Sequence, residues 1–125
     1  EVEVGTSGGI TVMGTFAAFA GSSLVAIATL VFNYQLLIPN PFLIATVITL
    51  AGLLASLFDS VLGATVQSIY YCDQCRKETE RHPQHKCGAA TRALRGWRWL
   101  DNDWVNFSAT LVGAALSVLV IIVLK

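Results

Sequence analysis

Three stretches of this chain carry almost no charge, and each is long enough to cross a bilayer. Residues 8–33 carry no charge, residues 42–70 carry only Asp59, and residues 104–124 carry none. A helix needs about 20 apolar residues to cross a hydrocarbon core of about 30 Å. Only helices and closed barrels can do so without stranding backbone polar groups. The pattern predicts an all-α integral membrane protein with spans at 9–33, 42–70 and 102–124. Of 125 residues, 54% are hydrophobic and 13% charged. So few charges would not cover the apolar surface of a soluble domain this small. The first run exceeds the roughly 7–15-residue core of a signal peptide and lacks a basic leader. A chain that starts at Glu1 is expected to be a fragment of a larger helical bundle.

Charge sets the expected orientation. Arg76, Lys77, Arg81, Lys86, Arg92, Arg95 and Arg98 all lie in segment 71–101, and the remaining basic residue is Lys125. Basic loops stay in the cytoplasm. Segment 71–101 is therefore expected inside, with 1–8 as a cytoplasmic glycine-rich loop and 34–41 as an outer link ending in Pro39-Asn40-Pro41. This threading predicts that three polar segments share the inner face. They are Gly5-Thr6-Ser7-Gly8-Gly9, the Asp59–Gln67 part of span 2, and Asp101-Asn102-Asp103 with Asn106. Topology explains the basic loop without nucleic acid, so no nucleic-acid partner is expected.

Each polar segment has a chemical and a structural reading. The glycine-rich run before span 1 suits a phosphate cradle, because backbone amides and the helix dipole favour an anion there. It equally suits a helix cap at Thr6 or Ser7. In span 2, Gly52, Ser56, Asp59, Ser60, Gly63 and Gln67 fall at helical spacing and make one small or polar stripe. Asp59 lies roughly 16 Å from the inner end of that helix. A carboxylate at that depth costs about 2.5–3.5 kcal/mol or more, so it needs a cation, a proton or a partner. In span 3, Asp103, Asn106, Thr110, Gly113 and Ser117 repeat at spacings of three and four and make a second seam, able to face the first. Asp101 suits a cap, and Trp97, Trp99 and Trp104 suit the interfacial belt. Oxygen donors at Asp59, Asp101, Asn102, Asp103 and Asn106 suit Mg²⁺, which takes one or two carboxylates together with substrate phosphates. Asp59 and Asp103 are the candidate catalytic residues.

The basic loop contains a different donor set. Cys72-x2-Cys75 is followed by His82, His85 and Cys87. This spacing suits tetrahedral zinc held by Cys72, Cys75, His85 and Cys87, with His82 as the competing histidine. A closed, structural site is expected, and the alternative is a disulfide.

Three runs, VGTSGGITVMG, LFDSVLGATVQ and WLDNDWVNF, resemble the membrane family that includes transmembrane protein 19 and the phytyl-phosphate kinase of vitamin E synthesis, catalogued as domain of unknown function 92. The Cys-x2-Cys…His-x-Cys-Gly insert is similar to that of its bacterial and archaeal members, which implies a prokaryotic cytoplasmic membrane. The resemblance spans nearly the whole chain and implies a prenyl-phosphate kinase. Such an enzyme moves a phosphoryl group from a CTP-like nucleoside triphosphate to a prenyl monophosphate. Family chains are about twice as long, so missing N-terminal helices or a second copy would complete the bundle. An ion-coupled transporter and a non-catalytic membrane subunit are the alternative functions.

Overall fold

The computed structural model describes residues 7–32 and 40–123. Its elements run α1 (Val12–Phe32), α2 (Pro41–Thr65), β1 (Ile69–Cys72), β2 (Lys77–Thr79), β3 (Arg92–Arg95) and α3 (Asn102–Val123). All three helices are long and apolar enough to cross a membrane. Large side chains such as Phe16, Phe42, Leu54, Leu111 and Ile122 are exposed along them. Such surface is stable only against an apolar solvent or further protein.

Each helix begins where a short polar side chain satisfies its first amides. Thr11 Oγ1 accepts from Gly14 N at 3.0 Å, and Asn40 Oδ1 accepts from Leu43 N at 3.1 Å, with Pro41 in the first turn. Asp101 Oδ1 accepts from both Asp103 N and Trp104 N at 3.1 Å. The cap of α1 is therefore Thr11, not Ser7, and the helix starts at Val12 rather than residue 9. Thr6, the other expected cap, lies outside the described residues, as does Gly5.

The chain forms two compact units. The helical unit comprises, among the described residues, 10–32, 40–58 and 108–123. Small residues set its packing, as is usual where lipid removes the hydrophobic drive between helices. Gly52 lies against Ser22, where a Cβ would come within 2.5 Å of the serine Cβ. Gly113 lies against Ala55, with a Cβ reaching 2.9 Å from the alanine Cβ. Ala26, Val47, Ala51 and Ala109 are buried. Hydroxyls within the spans return to their own helix: Ser22 donates to Ala18 O, Thr46 to Phe42 O and Ser117 to Gly113 O. This i−4 bonding satisfies the hydroxyl without a neighbour, so Ser117 is spent locally rather than across a seam.

The second unit comprises residues 7–9 and 59–107 among those described. It departs from the all-α expectation, because it holds an antiparallel sheet in the order β2-β1-β3. Strand β1 pairs with β2 through Tyr70↔Thr79, Tyr71↔Glu78 and Cys72↔Lys77, and with β3 through Tyr70↔Ala93 and Tyr71↔Arg92. The expected span 42–70 ends instead at Thr65. The short apolar run that follows contains Ile69, Tyr70 and Tyr71, and β-branched and aromatic residues favour a strand. Ile69, Gln67, Val105 and Cys72 are its largest fully buried side chains.

Arg95 closes the end of α2, donating through Nη1 to Gly63 O at 3.2 Å and Ala64 O at 2.9 Å. A cation there meets the carbonyls that a helix end leaves unpaired. The link between β3 and α3 then folds back on the same end. Trp97 N donates to Val66 O, and Ser68 N donates to Leu100 O. Gly96 has φ +84°, and any Cβ on it would strike the Gln67 carbonyl.

Candidate functional site

The β1–β2 turn and the segment before β3 bring four metal-binding side chains together. One ligand atom from each of Cys72, Cys75, His85 and Cys87 lies within 4.8 Å of the others. Cys72 Sγ is 3.6 Å from Cys87 Sγ, and His85 Nδ1 is 3.2 Å from Cys87 Sγ. A tetrahedral zinc about 2.3 Å from each sulfur would hold sulfurs about 3.8 Å apart, so this set fits zinc with little adjustment. Backbone turns shape both halves. Arg76, just after Cys75, has φ +52°, and Gly88, just after Cys87, has φ +84°. Gly88 N donates to His85 O, and His85 N donates to Ala89 O. Cys72 is fully buried and His85 is 9% exposed.

Without a cation Cys75 and Cys87 ionise at opposite ends of the thiol range. The backbone amide of Ala89, helped by His85, pulls the Cys87 thiol down to about 6. Hydrogen bonding to Cys87, with some burial, pushes Cys75 up to about 11. Crowded thiolates repel one another, and a bound dication removes that penalty. His82 is not in this group. Its ring stacks on Tyr70 with centroids 4.3 Å apart, and its Nδ1 lies 3.3 Å from Thr91 Oγ1.

The polar residues at the end of α2 form a separate arrangement. Asp59 Oδ1 is buried and has no hydrogen-bond partner. Gly63, one helical turn or about 6 Å further along, meets the turn Ser7–Gly8. A Cβ on Gly63 would lie 2.9 Å from Gly8 N. Gly8 has φ +80°, and a Cβ on it would collide with Ala64. The Ser7–Gly8 turn thus packs on the C-terminal end of α2. Ser7 Oγ donates to Gln67 Oε1 at 2.8 Å, and Gln67 Nε2 donates to Glu80 Oε1 at 3.0 Å. Gln67 follows the end of α2 and is 2% exposed, so it is not part of the stripe on that helix.

The other expected donors are placed differently. Asp101 is committed to capping α3 through Oδ1. Asn102, Asp103 and Asn106 lie in the first turns of α3 and are exposed. Among the described residues, the Cys/His cluster is the group of three or more metal-binding side chains that comes together. Two arginines of segment 71–101 are engaged within the chain. Arg95 caps α2, while Arg92 pairs with Asp73 at 3.1 Å and lies over the Tyr71 ring. In the sequence Gln67 reads as a stripe residue and nothing singles out Glu80. No spacing signal marks their contact.

The family described as integral membrane protein DUF92 matches residues 1–114. Protein PGR of Arabidopsis thaliana is 33% identical over 122 residues, which cover 93% of this chain. The chain spans 41% of the length of that relative. No solved structure matches. With three membrane-length helices and a match across most of its length, the chain belongs to the integral membrane DUF92 family.

Proposed function

We propose that this chain is part of a membrane phosphotransferase that converts a prenyl monophosphate to a diphosphate, using a CTP-like nucleoside triphosphate. The observation that carries the reading is Asp59, a carboxylate inside a membrane helix whose buried Oδ1 has no partner and which lies one turn from a glycine turn. A carboxylate in that setting calls for a cation. Phosphoryl transfer depends on positioning and charge neutralisation far more than on covalent chemistry from the protein.

Asp59, Asp103, Asn102 and Asn106 carry hard oxygens of the type Mg²⁺ takes, and the buried, unpartnered Oδ1 of Asp59 is where the ion would bind. When bound, the ion would neutralise phosphate charge. The chain's own residues have other tasks. Gly5 to Gly9 would offer backbone amides to phosphate oxygens, with Thr6 adding a hydroxyl, while the Ser7 hydroxyl is donated to Gln67. The exposed Asp103 and Asn106 would be covered by helices of the longer protein or by a second copy. Zinc on Cys72, Cys75, His85 and Cys87 would be structural, because four protein ligands leave no open position. The basic segment would face the cytoplasm, with the prenyl tail in lipid beside the helices.

The test is phosphoryl transfer by the full-length protein from labelled nucleotides to a panel of prenyl monophosphates. Labelled diphosphate that depends on Mg²⁺ supports the reading, and no product with any donor rejects it. The same lone carboxylate would also suit a cation-coupled carrier. Solute flux into liposomes without nucleotide turnover would favour that alternative.

A further inference from the structure

We propose that Gln67 is a positioning residue that fixes the Ser7–Gly8 turn against the Asp59 end of α2, and that Glu80 holds it there from the metal-binding ribbon. The consequence for substrate rests on the phosphotransferase reading, while the contacts stand without it.

The Gln67 amide is used at both ends. Its Nε2 lies 3.0 Å from Glu80 Oε1, and its Oε1 lies 2.8 Å from Ser7 Oγ. An ionised carboxylate can only accept, so the amide NH₂ must face Glu80 and the amide oxygen must face Ser7. That leaves the serine hydroxyl as donor. The orientation of the chain is thereby fixed from Glu80 outward. The backbone of Gln67 is held as well. Its N donates to Leu62 O, and its carbonyl lies against Gly96 at a point where no Cβ fits. A side chain 2% exposed with both ends bonded has one conformation available to it.

Glu80 directly follows β2, whose pairing with β1 puts Lys77 opposite Cys72. Cys72 ends β1 and Cys75 lies within the turn that joins these strands. A metal on those sulfurs clamps the β1–β2 turn, and three residues of strand carry that restraint to Glu80. The path therefore runs from the metal cluster through Glu80 and Gln67 to Ser7, and from there to the backbone of Gly8 on Gly63 and Ala64. The zinc-type ribbon would then serve the membrane site directly, beyond stabilising its own loop.

The full-length, zinc-loaded protein in detergent tests this by backbone hydrogen exchange over residues 7–9, with zinc content and phosphotransfer measured alongside. Gln67→Glu opposes two carboxylates, and exchange at 7–9 should rise about tenfold with zinc retained. Combining Gln67→Glu with Glu80→Gln exchanges donor and acceptor and should restore wild-type protection, which a role in packing alone would not do. Chelating zinc from the wild type should raise exchange at 7–9 to the same extent, and this arm needs no variant to fold. Wild-type exchange in Gln67→Glu or after chelation, or a double variant that stays unprotected, would overturn the proposal whatever the activity. Restored protection with no phosphotransfer by any protein, wild type included, would keep the relay and reject the phosphotransferase.

Discussion

Replacing Cys72 with serine should release the metal without unfolding the membrane helices. Cys72 is the fully buried member of the cluster, the last residue of β1, and 3.6 Å from Cys87 Sγ. Structural zinc contributes about 10–16 kcal/mol in small domains at neutral pH. Divided over four ligands, one ligand accounts for roughly 2.5–4 kcal/mol, or a loss of about 60- to 700-fold in affinity. The affinity would be read by competition with a chromophoric chelator on the purified full-length protein, with metal content by mass spectrometry. Cys72→Ser and His85→Ala should each lose the metal, whereas His82→Ala should keep it, because that ring stacks on Tyr70. Retention by Cys72→Ser, or equal loss from His82→Ala and His85→Ala, would refute the assignment of ligands. Unchanged helical circular dichroism in Cys72→Ser would separate metal loss from collapse of the spans.

Two further outcomes follow from the second unit. Gly96→Ala places a Cβ against the Gln67 carbonyl at a positive φ, so it should destabilise by about 2 kcal/mol or more and lower the thermal midpoint. Metal-free protein at pH 7.5 should be alkylated at Cys87, whose thiol sits at about 6, well before the equally exposed Cys75 at about 11. The thiolate is the nucleophile, so the Cys87 rate should fall as pH drops below about 6, which peptide mapping after a brief iodoacetamide pulse would show.

The spans were legible because lack of charge over 20 residues is a signal that needs no tertiary information. Helix starts were partly legible: Asn40-Pro41 and Asp101 carry the residue types that cap. Thr11 does not stand out because the glycine run before it has the composition of a helix entry, whereas Ser7 turns its hydroxyl toward Gln67. The metal cluster followed from spacing alone, since Cys-x2-Cys and His-x-Cys are local. The choice between His82 and His85 was not local and needed the Tyr70 stack. The run after Thr65 reads as a continuation of the helix because short apolar runs do not distinguish strand from helix by period. The relay was out of reach because Ser7 and Gln67 lie 60 residues apart and Glu80 sits in a charged stretch that reads as solvated loop.

Asp59 carries the functional account, and Asp59→Asn tests it most directly. Product formation from a prenyl monophosphate would be followed for the full-length wild type and for this variant across a Mg²⁺ titration. The amide keeps the shape and removes the charge. The account predicts a loss of at least about 100-fold in kcat, or about 2.7 kcal/mol, that saturating Mg²⁺ does not recover. Equal rates and equal Mg²⁺ dependence in the two proteins would contradict it.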